Sequence, residues 1–193
     1  MIISSGGGFI LKVAMVSYPN IAVFQPVVNA DRFSGVGGNL VAVQASRIST
    51  SLYQAAKLGS LPNGPLFRFI SPFRAFLSSE NDSVAARILL LMSIPCHLIF
   101  VTAIMLIANI AFSPLFIGLY LVAAVAQVVI LLFLCQYLIR CMWRYGIDPD
   151  SSAIPLLTST GDLLGTALLL VAFVMLSAMN DAHLRPSSLQ DAS

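Results

Sequence analysis

Charge is what this sequence has least of. Only 9% of its 193 residues are Asp, Glu, Lys or Arg, while 58% are hydrophobic; an average soluble domain carries about 25% charged residues. So little polar surface cannot cover a water-soluble globule, and the chain reads as an integral membrane protein. Ten Lys/Arg against eight Asp/Glu leave a net charge of +2, with no basic stripe interleaved with aromatics, which excludes a nucleic-acid partner from the expectation. Cysteine is scarce too. Cys96, Cys135 and Cys141 lack metal-ligand spacing and read as small buried hydrophobes rather than disulfide partners. There is no Ser-His-Asp, Cys-His or paired-carboxylate arrangement, so no enzyme is expected. The amino terminus has no basic region before an apolar run and is not read as a signal peptide.

What is present is apolar length. From Ile88 to Ile139, 52 residues, there is no Asp, Glu, Lys or Arg. One span needs about 20 residues, so this stretch is long enough for two. Asn109 to Pro114 is the natural break, because Pro114 suits the first turn of a new helix. The pattern predicts spans near 84–111 and 114–141, the first kinked at Pro95, and a third near 154–179. The start of that third span is signalled by Asp148-Pro149-Asp150, and residues 183–193 form a polar tail. Earlier in the chain a discontinuous span over 19–56 is expected, broken at Gly35–Asn39, with Asn39 as the cap of its second half. Residues 57–87 read as a loop with a short interfacial piece near 66–77. Lys57, Arg68, Arg74 and Arg87 in that loop, with Arg140 and Arg144 after the second span, place both loops on the cytoplasmic side.

One residue stands out within these spans. Asp162 lies inside the third, in Thr158-Ser159-Thr160-Gly161-Asp162-Leu163-Leu164-Gly165-Thr166. An aspartate there costs about 2.5–3.5 kcal/mol on insertion scales and is by default functional. At 100° per residue Thr158, Asp162, Gly165 and Thr166 share one sector, as a wetted wall would. His97 is either a partner for the carboxylate or an ordinary core histidine. The second constellation is Gly35-Val36-Gly37-Gly38-Asn39, which puts Asn39, Ala42, Ser46 and Thr50 on one helix face. Oxygen ligands of this kind suit a hard cation, and Mg²⁺ typically takes one or two carboxylates while keeping waters. The competing reading is a non-conducting subunit in which Asp162 only holds helices together.

The runs Gly35-Val-Gly-Gly-Asn-Leu-Val-Ala-Val-Gln-Ala-Ser-Arg-Ile-Ser-Thr50 and Ile154-Pro-Leu-Leu-Thr-Ser-Thr-Gly-Asp-Leu-Leu-Gly-Thr-Ala-Leu-Leu169 resemble the signatures of eukaryotic solute carrier family 41. That family is similar to the bacterial MgtE magnesium channels. The resemblance implies an all-α, MgtE-like membrane unit of about five helices over residues 1–182, matching the second of two fused units. It places the start of the chain inside the first helix, leaving about 1–16 of it, and marks Ala30 to Ser34 as an insertion. It further implies Mg²⁺ transport, with Asp162 at the ion site, then Thr158, Gly161 and Asn39, and with Gln44 in the signature. The expected partners are membrane lipid and a second such unit, either a copy or the absent first repeat. The plasma membrane is the expected location. Channel and Na⁺-coupled exchanger both stay open, Na⁺ being the coupling ion in the second case.

Overall fold

The computed structural model describes residues 35–60, 81–109 and 113–184, with Phe9, Lys12, Val13, Phe76, Leu77 and Ser79, and excepting the side chains of 177 and 179–184. The expected first span, the interfacial piece near 66–75 and the tail beyond 184 lie outside the described residues. Those residues form four helices and no strand: α1 (Val36–Ala55), α2 (Asn81–Ile107), α3 (Pro114–Arg144) and α4 (Pro149–Leu184). Among them α2, α3 and α4 are long and apolar enough to cross a membrane.

The helix ends follow from local chemistry. Gly35 sits in the left-handed region at φ 55 and starts α1, a conformation that a Cβ disfavours. Asn39 is therefore not the cap. It lies in the first turn, its N–H donating to the Gly35 carbonyl at 2.8 Å, and its side chain is exposed. Gly37 and Gly38 do not break the helix either; they are buried inside it. Helix α2 ends before Asn109, which takes φ 52, a helix-stop geometry that asparagine tolerates. Ser113 then caps α3, its Oγ accepting from the Phe116 N–H at 3.4 Å, with Pro114 in the first turn. Two starts come earlier than the hydropathy pattern suggests. Helix α2 begins at Asn81, so Arg87 is helical and not part of a loop. Helix α4 begins at Pro149 and takes in Asp150, Ser151 and Ser152, because an acidic first turn is favourable at a helix N-terminus. Pro95 is accommodated within a continuous α2.

Helices α1 and α3 form the middle of the bundle, with α2 and α4 on its flanks. They run parallel: Gly37 meets Gln127 near one end, and Tyr53 meets Trp143 edge-on at the other, ring centroids 4.8 Å apart. Two apolar clusters fill the bundle. One gathers Val41, Ile48, Leu52, Leu131, Ile139, Trp143 and Leu157; the other gathers Val101, Met105, Phe116, Tyr120, Leu169 and Phe173. On α2, Ile88, Leu91, Met92, Ile99 and Leu106 recur on one face and stay 51–70% exposed. This apolar face belongs to a helix long and apolar enough to cross a membrane.

The end holding the α3–α4 turn carries the polar fasteners. Arg140 pairs with Asp82 at 3.2 Å, both largely buried, and also donates to the Gln136 carbonyl. Arg140 is thus an interior residue of α3 and not a loop charge. Gln44, fully buried, donates to the Asp82 carbonyl at 2.9 Å. Trp143 Nε1 donates to the Ser60 carbonyl at 3.2 Å, and the Tyr53 hydroxyl donates to Asp148 at 2.8 Å.

Candidate ion site at the α1–α4 crossing

Asp162 is in the interior of α4, and its residue is half-buried. Around it the hydroxyls are tied to their own helix. Thr158 Oγ1 donates to the carbonyls of Ile154 and Pro155 at 3.1 and 3.0 Å. Thr166 Oγ1 donates to the Asp162 carbonyl at 2.7 Å. A threonine whose proton is spent in this way presents only acceptor lone pairs outward, which is the polarity a cation needs. Thr166 itself is buried at 4% exposure, so it faces the bundle, whereas Thr158 is half-buried.

Helix α1 approaches α4 here because both lack side chains at the contact. A Cβ on Gly38 would stand 3.4 Å from Thr158 Cγ2, and one on Gly161 would be 3.9 Å from Gly38 Cα. Small residues at such a crossing let backbones approach closely. Asn39, next to Gly38, lies on the exposed face of α1 with Ser46 and Thr50, and Thr50 Oγ1 bonds back to the Ser46 carbonyl.

The residue that sequence reasoning missed is Gln127. It is 7% exposed, and its Nε2 donates to the Gly161 carbonyl at 3.0 Å. Gly37, Gly161 and Gly165 all open toward it. The available signal was an amide in the middle of a charge-free apolar run, since a buried amide needs a partner. The Gly161 carbonyl also takes the helical N–H of Gly165 by the i to i−4 rule. With both lone pairs engaged, that carbonyl has none left for a cation.

Other sequence candidates lie elsewhere. Gln44 faces Asp82 across α1 and α2, on the opposite side of α1 from Asn39. His97 is buried and pairs with Tyr120 on α3, Nδ1 to hydroxyl 3.3 Å. Cys135 is fully buried, as a small hydrophobe is; Cys96 and Cys141 are half-buried free thiols. No cluster of three or more His, Cys, Asp or Glu occurs among the described residues. A cation here would be held by one carboxylate with neutral oxygens and water, which suits hard ions.

The MgtE family, described as "Divalent cation transporter", matches residues 32–172. The chain is 45% identical over 179 residues to solute carrier family 41 member 3 of Rattus norvegicus, covering 91% of this chain and 38% of that protein. It is 46% identical over 186 residues to solute carrier family 41 member 2 of Homo sapiens, covering 94% of this chain and 31% of that protein. The chain thus spans about a third of the length of these relatives. No solved structure matches it.

Proposed function

Because the chain belongs to the MgtE family of divalent cation transporters, which are not enzymes, we propose that it conducts Mg²⁺ across a membrane along a path lined by Asp162. The observation that carries this reading is the setting of Asp162: a half-buried carboxylate inside a membrane-length helix, beside the acceptor oxygen of Thr158. A cation on that carboxylate offsets the insertion cost of about 2.5–3.5 kcal/mol. Mg²⁺ dehydrates reluctantly and is held by one or two carboxylates plus waters. One Asp162 from this unit and a second acid from another would meet that demand. The path is therefore formed with a second MgtE-like unit, a copy of this chain or another repeat of a longer protein. Asn39 and the small-residue seat of Gly37 and Gly38 bring α1 to the same path, with Gly35 setting where α1 begins. The basic end, with Lys57 and Arg144, faces the cytoplasm, and the plasma membrane is the proposed location. If transport is exchange, Na⁺ is the counter-ion.

The test is Mg²⁺ entry into liposomes holding the purified chain, read by a trapped dye, beside Asp162→Asn. The amide keeps hydrogen bonding but loses the charge, so entry should fall at least about tenfold, the factor of 1.4 kcal/mol. Equal entry with both proteins would sink the assignment and leave Asp162 as a packing residue.

A further inference from the structure

We propose that Gln127 is the positioning residue of this path: by holding the Gly161 carbonyl it sets the rotation of α4, and with it the direction in which Asp162 points. The proposal rests on the transport reading only for its consequence, not for its geometry.

Helices ordinarily fix their mutual rotation by side-chain ridges seated in grooves. On the face that α4 turns to α3, Gly161 and Gly165 are one turn apart and offer no ridge. The space is filled from the other side. A Cβ at Gly165 would stand 2.8 Å from Gln127 Nε2 and Oε1 and 2.9 Å from its Cδ; a Cβ at Gly37 would stand 3.2 Å from Nε2. The amide of Gln127 is thus the knob, and glycines of two helices form its hole. Unlike an alkyl knob it is directional, because Nε2 must aim at the Gly161 carbonyl, 3.0 Å away. Asp162 is the next residue, 100° further round the helix. A rotation of α4 that broke the bond would carry the carboxylate with it.

The position of Gln127 supports the same role. It falls where the two apolar clusters meet, after Ala123 in one and before Val128 and Leu131 in the other. Alkyl packing seats the helices on either side, and the buried amide adds a directional constraint, because it loses heavily if its partner moves away. Gln127 acts here through Nε2, which holds the Gly161 carbonyl, and its proposed part is to position Asp162 rather than to ligate.

The experiment labels Asp162→Cys in liposomes with a water-soluble thiol reagent, the unsubstituted chain giving the background from its native cysteines. Ser151→Cys, at the exposed start of α4, is the control. Gln127→Leu keeps the bulk and removes the donor; Gly165→Ala keeps the donor and displaces the amide. Each should slow labelling at 162 by about fivefold, the factor of one hydrogen bond, and leave 151 unchanged. Unchanged labelling at 162, or equal changes at 162 and 151, overturns the proposal, the second outcome meaning a general loss of structure. In the Asp162 chain, Gln127→Leu should raise the half-saturating Mg²⁺ concentration by a similar factor without lowering the maximal rate. If Asp162→Asn leaves Mg²⁺ entry intact, the transport reading fails while the labelling result still decides the role of Gln127.

Discussion

The ion pair between Arg140 and Asp82 offers a quantitative test of how dry the bundle is. Its two side chains are 5% and 11% exposed, and its atoms are 3.2 Å apart. Removing one partner of such a pair strands the other charge, at about 3–5 kcal/mol. The two single substitutions should not cost the same. Asp82→Ala leaves a guanidinium that cannot lose its proton, so it should sit at the upper end of that range. Arg140→Met leaves a carboxylate in the first turn of α2, where the helix end favours it by about 0.3–1 kcal/mol. It should sit at the lower end. The double substitution removes both charges and should cost less than either alone, so the coupling should exceed the larger single cost, about 5 kcal/mol. Unfolding of the detergent-solubilised chain by SDS can be followed through Trp143, the single tryptophan, fully buried in the native bundle. A coupling under about 1 kcal/mol, the value of exposed pairs, would refute the view that this end excludes water.

Two smaller predictions concern the helix junctions. Ser113→Ala removes the cap of α3; because the bond is long at 3.4 Å, the loss should be about 0.5 kcal/mol, the low end for N-caps, read in the same unfolding assay. Asp148 accepts a hydrogen bond from the Tyr53 hydroxyl and a weaker set from Asp150 and Ser151, which hold its carboxyl below the usual 3.8. A lowered native value means stability that is complete above 3.8 and is lost as pH falls through the native value. Tyr53→Phe should move the Asp148 titration, followed by carboxyl NMR, up toward 3.8 and shrink this acid-labile part of the melting temperature.

The sequence declared the spanning helices because membrane length is written in consecutive apolar residues, and Asp162 because a carboxylate in such a run is conspicuous. Helix starts were less legible. Asp150 to Ser152 look like loop residues, yet they are good first-turn residues for α4. Gly37 and Gly38 look like breakers until Gln127 and Thr158 are seen to fill the space beside them. Asp82 and Arg140 are 58 positions apart, and nothing local in either segment announces that they pair. Gln127 is inconspicuous in the sequence because an uncharged amide becomes informative only once its burial and its acceptor are known.

Among the described residues the end of the bundle far from the α3–α4 turn is mainly apolar, with the His97–Tyr120 contact as its polar link between helices. There Phe116 lies flat on Phe173, centroids 6.0 Å apart, among Val101, Met105 and Leu176, with Leu106 and Ile107 open to their surroundings. Contacts of flat rings and alkyl groups carry no donor–acceptor direction, whereas those of carboxylates, guanidinium and amides do. The described part of the bundle is therefore built like tweezers, soldered at the basic end and held mainly by apolar contact at the tips. Proton and salt concentration act on the solder, and the thickness and stiffness of the surrounding lipid act on the tips.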